Sequence, residues 1–164
     1  MDTVSEQRLS AVHPKLANLI RMMAHQLELE NIPIRVTQGL RTWEEQDALY
    51  AKGRSIPGAV VTNCPGGNSW HNFGLGVDVV PFLADGSPDW NANHPSWTRM
   101  CALGVNLGLV SGSQWKTFKD YPHFQLTGIF AVNPSDHVRE VFKRGGIPAV
   151  WKEAFQIEDE IGAT

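Results

Sequence analysis

Four residues stand out for their surroundings. His71 lies seven residues ahead of Asp78 in SWHNFGLGVDVVPF, and Asp120 lies three ahead of His123 in KDYPHF. Asp78 interrupts a run in which Val77, Val79, Val80 and Phe82 call for burial, and a carboxylate there is costly unless it is paired, hydrogen-bonded or metal-bound. An ion pair with Arg41 or Arg35, or a strand-end position facing solvent, would each account for it. His71 offers another account, because Gly74 and Gly76 let the backbone fold back until imidazole and carboxylate converge. His123, on a separate short strand, would complete the set. Two imidazole nitrogens and one carboxylate oxygen make a three-ligand zinc site with the fourth position open to water, the catalytic rather than the structural pattern. The motifs HExxH and GxSxG and a glycine-rich phosphate loop are all absent, and Cys64 has only loop residues around it. The remaining histidines, His13, His25, His94 and His137, read as ordinary boundary or surface residues and take no role.

The elements that must position these groups follow from periodicity. Residues 14–30 place Leu16, Leu19, Ile20, Met23, Leu27 and Glu30 at helical spacing, with Pro14 suited to a first turn. Residues 32–39 form a β-branched strand closed by Gly39. Leu40 and Arg41 lead from it into a helix over 42–53, with Thr42 as N-cap and Gly53 just past its end. Residues 54–68 are mostly turn formers and predict a surface loop bordering a site. The strand around Asp78 follows, then a polar loop and a helix over 96–109. Residues 111–128 read as loop and short strand. Two short helices over about 134–156 are separated at Gly145, Gly146 and Pro148. The order predicts a mixed α+β fold, a single compact domain over 1–164 with a small, partly antiparallel sheet flanked by helices.

Composition narrows the partners. With 164 residues, 42% of them hydrophobic, the chain suits one domain with its own core. A net charge of −3 with scattered Lys and Arg offers no basic face, which argues against nucleic acid and anionic lipid. Two cysteines, Cys64 and Cys101, are too few for a disulfide scaffold or a thiolate zinc site, and two buried thiols are expected rather than one disulfide. The N-terminal MDTVSEQRLS lacks an apolar leader core and no run of 18 apolar residues occurs, so synthesis in the cytoplasm and no membrane insertion are expected.

The motifs resemble those of a known family. SWHNFGLGVD fits Ser-x-His-x-x-Gly-x-Ala-x-Asp and DYPHF fits Asp/Glu-x-x-His of the VanY/VanX-like zinc peptidases, the LAS group. The likeness extends through VTQGLRTWEEQDALYAKGR, IPGAVVTNCPGGNSWHNFG and WKTFKDYPHFQ, covering roughly residues 32–126. It is most similar to the L-alanyl-D-glutamate endopeptidases of phage endolysins and related wall hydrolases. The resemblance implies a small α+β fold, one zinc per chain held by His71, Asp78 and His123, Asp120 as general base and Arg41 facing the scissile carbonyl. The implied substrate is the peptide stem of bacterial peptidoglycan, cut at the L-Ala–D-Glu bond by a monomer that acts on the wall after release from the cytoplasm. The chemistry is consistent: zinc lowers the pKa of its water toward about 7, a carboxylate takes the proton, and a guanidinium, always charged and forked, steadies the oxyanion.

Ser69 would orient a ligand or hold a substrate carboxylate, or would simply cap its loop. Trp115 would wall the cleft or sit in the core. Two departures from the family pattern stand out. Gly76 replaces the usual Ala, and VSGSQW stands where many relatives read something like EWGGDW, so that Ser111 and Gln114 bear on specificity. A D,D-carboxypeptidase or D-Ala-D-Ala dipeptidase on the same scaffold is the nearest rival. A zinc-stabilised binding domain without catalysis is the rival of another class, and a structural metal would need neither Asp120 nor Arg41.

Overall fold

The computed structural model describes residues 1–156; residues 157–164 of the expected domain lie outside the described residues. The elements are α1 (Thr3–Ser10), α2 (Pro14–Leu29), β1 (Ile34–Gln38), α3 (Trp43–Ala51), β2 (Gly76–Pro81), α4 (Pro95–Asn106), β3 (Val110–Ser111), β4 (His123–Gln125) and α5 (Asp136–Ala154), with short 3₁₀ turns over Trp70–Phe73 and Gly112–Gln114. The class is α+β, as expected. Contacts divide the chain into two units, residues 1–40 with 76–126, and residues 41–75 with 127 onward.

The first unit holds the whole sheet, in the order β1-β2-β4-β3. All three pairings are antiparallel, so the partly antiparallel sheet of the sequence reading is antiparallel throughout. Its core is aliphatic. Leu16, Ile20, Met23 and Leu27 from α2 pack with Val36, Val77, Val79, Met100 and Phe124, all fully buried. Glu30, which the helical pattern included, is instead the C-cap of α2 and pairs with Arg99 on the surface. The helix α1 was not anticipated, because its few apolar residues give no amphipathic stripe. Asp2 caps it, and it covers the open edge of β1: Ser5 Oγ accepts from Val36 N–H at 3.0 Å, and Arg8 Nη1 donates to the Val36 carbonyl at 2.6 Å. Those two bonds satisfy an edge that would otherwise offer itself to another strand.

The second unit is built on rings. Trp43 stacks on Phe142 at 5.4 Å, Trp70 stacks on Phe130 at 5.8 Å, and Phe73 meets Trp43, Trp70 and Phe142 edge to face. A Thr42–Glu45 capping box starts α3, and Gly53, at φ 71°, follows its end in the left-handed region that favours glycine. The helix α5 departs from helical dihedrals at Gly146 (φ 65°, ψ −162°), so the expected pair of helices is present as two segments of one assigned helix. Neither cysteine is in a disulfide. Cys101 is buried as expected, whereas Cys64 is partly exposed because it sits in the loop before the Trp70 turn.

Candidate metal centre

Asp78 and His123 are set by strand register. They are directly opposed partners in the antiparallel pairing of β2 with β4, which puts both side chains on one face of the sheet. A bulge in β1 falls opposite Asp78, where the register steps from Val36↔Val79 to Gln38↔Asp78. The extra residue, Thr37, donates its hydroxyl to the Asp78 carbonyl at 3.3 Å. Bulges of this kind locally bend a strand and re-aim its side chains. His123 Nδ1 lies 3.4 Å from Asp78 Oδ1, with the His123 side chain 6% exposed and that of Asp78 22% exposed. Arg35, one of the partners considered for Asp78, is engaged with Asp2 and with the Phe82 ring.

His71 is set differently. It sits on the 3₁₀ turn Trp70–Phe73, all four residues of which are buried. Gly74 ends the turn at φ 65° and supplies the reversal expected of it, whereas Gly76 lies within β2 and takes no part in that turn. The Ser69 hydroxyl accepts from His71 N–H, so Ser69 is a cap on the turn that carries His71. The carboxamide of Asn72 accepts from Gly67 N–H at 3.0 Å and donates to the carbonyls of Arg41 at 3.0 Å and Thr42 at 3.2 Å. The Arg41 amide donates in turn to the His71 carbonyl at 3.0 Å, so the backbones of Arg41 and His71 run bonded to each other. The Arg41 guanidinium donates from Nη1 to Gln46 Oε1 at 2.7 Å. Gln46 is fully buried and donates onward to the Cys64 carbonyl at 2.7 Å.

One ligand atom from each of His71, Asp78 and His123 lies within 4.8 Å of the others, so the three form a group that could hold a metal ion. The surroundings of His123 favour positive charge there. Burial pushes its imidazole pKa down, but the Asp78 carboxylate, the Gln125 side chain and Asp120 outweigh it and hold the pKa above the ordinary histidine value. A half-buried carboxylate beside two buried imidazoles is the donor set of zinc and similar cations, so the residues present suit the ion that the motifs imply.

Asp120 and Trp115 approach His123 from the segment before β4. The Gly112 carbonyl accepts from both Trp115 N–H at 3.2 Å and Asp120 N–H at 3.1 Å, and the Asp120 carbonyl accepts from His123 N–H at 3.2 Å. A Cβ at position 112 would lie 2.4 Å from the Asp120 carbonyl oxygen, so only glycine permits this approach. The Trp115 ring is tilted against the His123 ring at 5.2 Å, and its indole nitrogen is buried with no acceptor among the described residues. Ser111 is fully buried, its hydroxyl bonded to Ser113, while Gln114 is exposed on the adjoining turn.

The sequence reading missed Gln46, Asn72, Gly112 and Gln125. Gln125 had a usable signal, since two residues past His123 on a strand is the same face. The others act through backbone groups or through partners distant in sequence, and carried none.

A family described as D-alanyl-D-alanine carboxypeptidase matches residues 62–126, the stretch that contains His71, Asp78, Asp120 and His123. The crystal structure of Serratia marcescens L-Ala D-Glu endopeptidase ChiX is similar with a TM-score of 0.57 and 31% identity, over 77% of this chain and 89% of that one. The chain belongs to the VanY-like zinc peptidases. It is also 39% identical over 104 residues to the Peptidoglycan L-alanyl-D-glutamate endopeptidase CwlK of Bacillus subtilis, a match over 59% of this chain that spans 62% of the CwlK length. The L,D-carboxypeptidase DacB from Streptococcus pneumonia shares the peptidase fold, with a TM-score of 0.53 at 19% identity over 72% of this chain and 67% of that one. No helix among the described residues is long and apolar enough to cross a membrane.

Proposed function

We propose that this VanY-like peptidase is a zinc-dependent endopeptidase that hydrolyses the L-Ala–D-Glu bond in the peptide stem of bacterial peptidoglycan. The observation that carries the chemistry is the convergence of His71, Asp78 and His123 to within 4.8 Å. The bond is proposed from the two relatives at 39% and 31% identity, both of which carry the name of L-Ala–D-Glu endopeptidases.

In this reading His71, Asp78 and His123 hold one zinc. When bound, zinc supplies a Lewis acid for the scissile carbonyl and brings the pKa of its water toward about 7. Asp120 accepts the proton of the attacking water and later returns it to the leaving amine. Arg41, its guanidinium oriented by Gln46, offers N–H donors to the oxygen on which negative charge develops. Ser69 holds the His71 turn, and Trp115 walls the site beside His123. The enzyme works as a monomer with a single peptidase domain. A lytic role as a phage endolysin is the setting that the motif resemblance favours. It predicts that added protein lyses cells whose outer barrier has been permeabilised, and intact wall after such treatment would remove that role.

The description of the matching family favours a second reading, a D,D-carboxypeptidase on the same scaffold. Digestion of purified peptidoglycan, with the new termini identified by mass spectrometry, separates the two. The endopeptidase leaves a free L-Ala carboxylate on the glycan side and a new D-Glu amine on the peptide side. Release of D-Ala would replace it with the carboxypeptidase, and no new termini at all would favour a zinc-stabilised binding domain.

A further inference from the structure

The ring of His123 is held at both nitrogens by different groups. Nδ1 faces Asp78 Oδ1 at 3.4 Å, and Nε2 lies 2.9 Å from Gln125 Oε1. Gln125 is 1% exposed and stands two residues along β4, so it shares the sheet face of His123. Its cross-strand partner on β2 is Gly76, which presents no side chain and leaves that face open to the carboxamide. A neutral imidazole carries a proton on one nitrogen and a lone pair on the other. An oxygen facing Nε2 accepts only from Nε2–H, and the lone pair is then on Nδ1, the atom that faces Asp78. The opposite tautomer would set Nε2 and the Gln125 oxygen lone pair to lone pair and would put a proton on Nδ1, where an ion has to bind.

We infer that Gln125 is a positioning residue for the metal centre: by accepting the Nε2 proton it fixes His123 in the tautomer whose Nδ1 is the metal ligand, and so sets the metal affinity. The inference rests on the zinc reading above and goes beyond it by giving a role at the metal centre to a residue to which the motifs had given none. A carboxamide or carboxylate behind a ligating imidazole raises its basicity and holds its orientation, and loss of such a partner costs metal affinity by about 10–100-fold.

The test is zinc affinity of the full chain, measured by competition with a chromophoric chelator, in the wild type, Gln125→Met and Gln125→Glu. Methionine keeps the length of the side chain and removes the acceptor, and glutamate restores it. The expected result is a loss of about 10–100-fold in Gln125→Met and most of the affinity kept in Gln125→Glu. Wild-type affinity in Gln125→Met, or equal losses in both variants, would overturn the assignment, the second result being that of a packing role alone. Nitrogen-15 NMR of the zinc-loaded wild type decides independently of whether the variants fold. The His123 ring is expected to carry its proton on Nε2 and the metal on Nδ1, and the reverse pattern contradicts the inference. A wild-type chain that binds no zinc would remove the metal centre itself and this role with it, whereas zinc binding by the wild type with an unaffected Gln125→Met would remove this role alone.

Discussion

Asp78 and His123 are placed by strand pairing, His71 by a turn that side chains and one backbone bond from Arg41 hold. The strand pair needs only the β2–β4 register, which three cross-strand pairs and the packing of Val77, Val79 and Phe124 hold in common. The His71 turn has no ladder. It is held by the Asn72 carboxamide, the Ser69 cap and the left-handed Gly74, with the Trp151 indole donating to the Phe73 carbonyl at 2.7 Å at its end. Side chains on a sheet are thus buffered against the loss of any one neighbour, and a side chain on a capped turn depends on a few. The contrast extends to the cores, aliphatic around the sheet and aromatic around the turn.

The largest effect is expected from the strand pair itself. Removing a ligand in His123→Ala or Asp78→Ala should lower zinc affinity by more than the 10–100-fold that outer partners contribute, and activity should fall with it. Circular dichroism of the metal-free variants should still show the native fold, because register rather than the ligand side chain holds β2 to β4. Loss of the fold in Asp78→Ala would mean that the ladder depends on the carboxylate, and the contrast with the turn would fail.

Asp120→Asn should come next and should separate proton transfer from metal binding. An isosteric amide keeps the packing and removes the base, so kcat should drop by about 10²–10⁴ while zinc content and melting temperature stay near wild type. An Asp120→Asn protein that turns over at the wild-type rate at saturating substrate would show that the base lies elsewhere.

Asn72→Ala probes the turn. It strips partners from the Gly67 N–H and from the carbonyls of Arg41 and Thr42. A buried donor such as the Gly67 N–H costs about 1–3 kcal/mol when its acceptor is removed, so thermal unfolding should show a clear drop. Zinc affinity should fall too, although no ligand has been touched. Unchanged affinity would show that His71 is held by its other neighbours.

The smallest effect is one of pH. The folded pKa of His123 is raised above its ordinary value of 6.5, with burial opposing and Asp78 outweighing it. Its contribution to the metal-free fold is therefore fully present below the unfolded value and is lost as pH rises through the folded one. Zinc must displace that proton, so zinc affinity should rise over the same window. Parallel melting curves with and without zinc check both signs, and a metal-free protein that gains stability as pH rises through that window would contradict the assignment.

Asp78 and His123 were the most legible pair in the sequence, because an aspartate inside a run of valines announces a carboxylate that is paired or poised to ligate. His71 was legible through Gly74, the reversal its loop required. Helix α1 was not, since its role is to satisfy the edge of β1 through Ser5 and Arg8, polar residues that look like any surface helix. Gln46 and Asn72 were hidden for a related reason: both bridge backbone groups that are remote in sequence, and a carboxamide gives no sign of which carbonyl it will meet. The VSGSQW departure looked like a change in specificity. Ser111 proves to be a buried cap, which leaves the exposed Gln114 as the position where that departure can still meet a substrate.

Anomalous diffraction at the zinc edge from crystals of the wild-type chain tests the account at its centre. A single strong peak is expected at bonding distance, about 2.0–2.2 Å, from a nitrogen of His71, an oxygen of Asp78 and Nδ1 of His123. A peak held by other residues, or no peak in protein that still cleaves peptidoglycan after chelation, would contradict it.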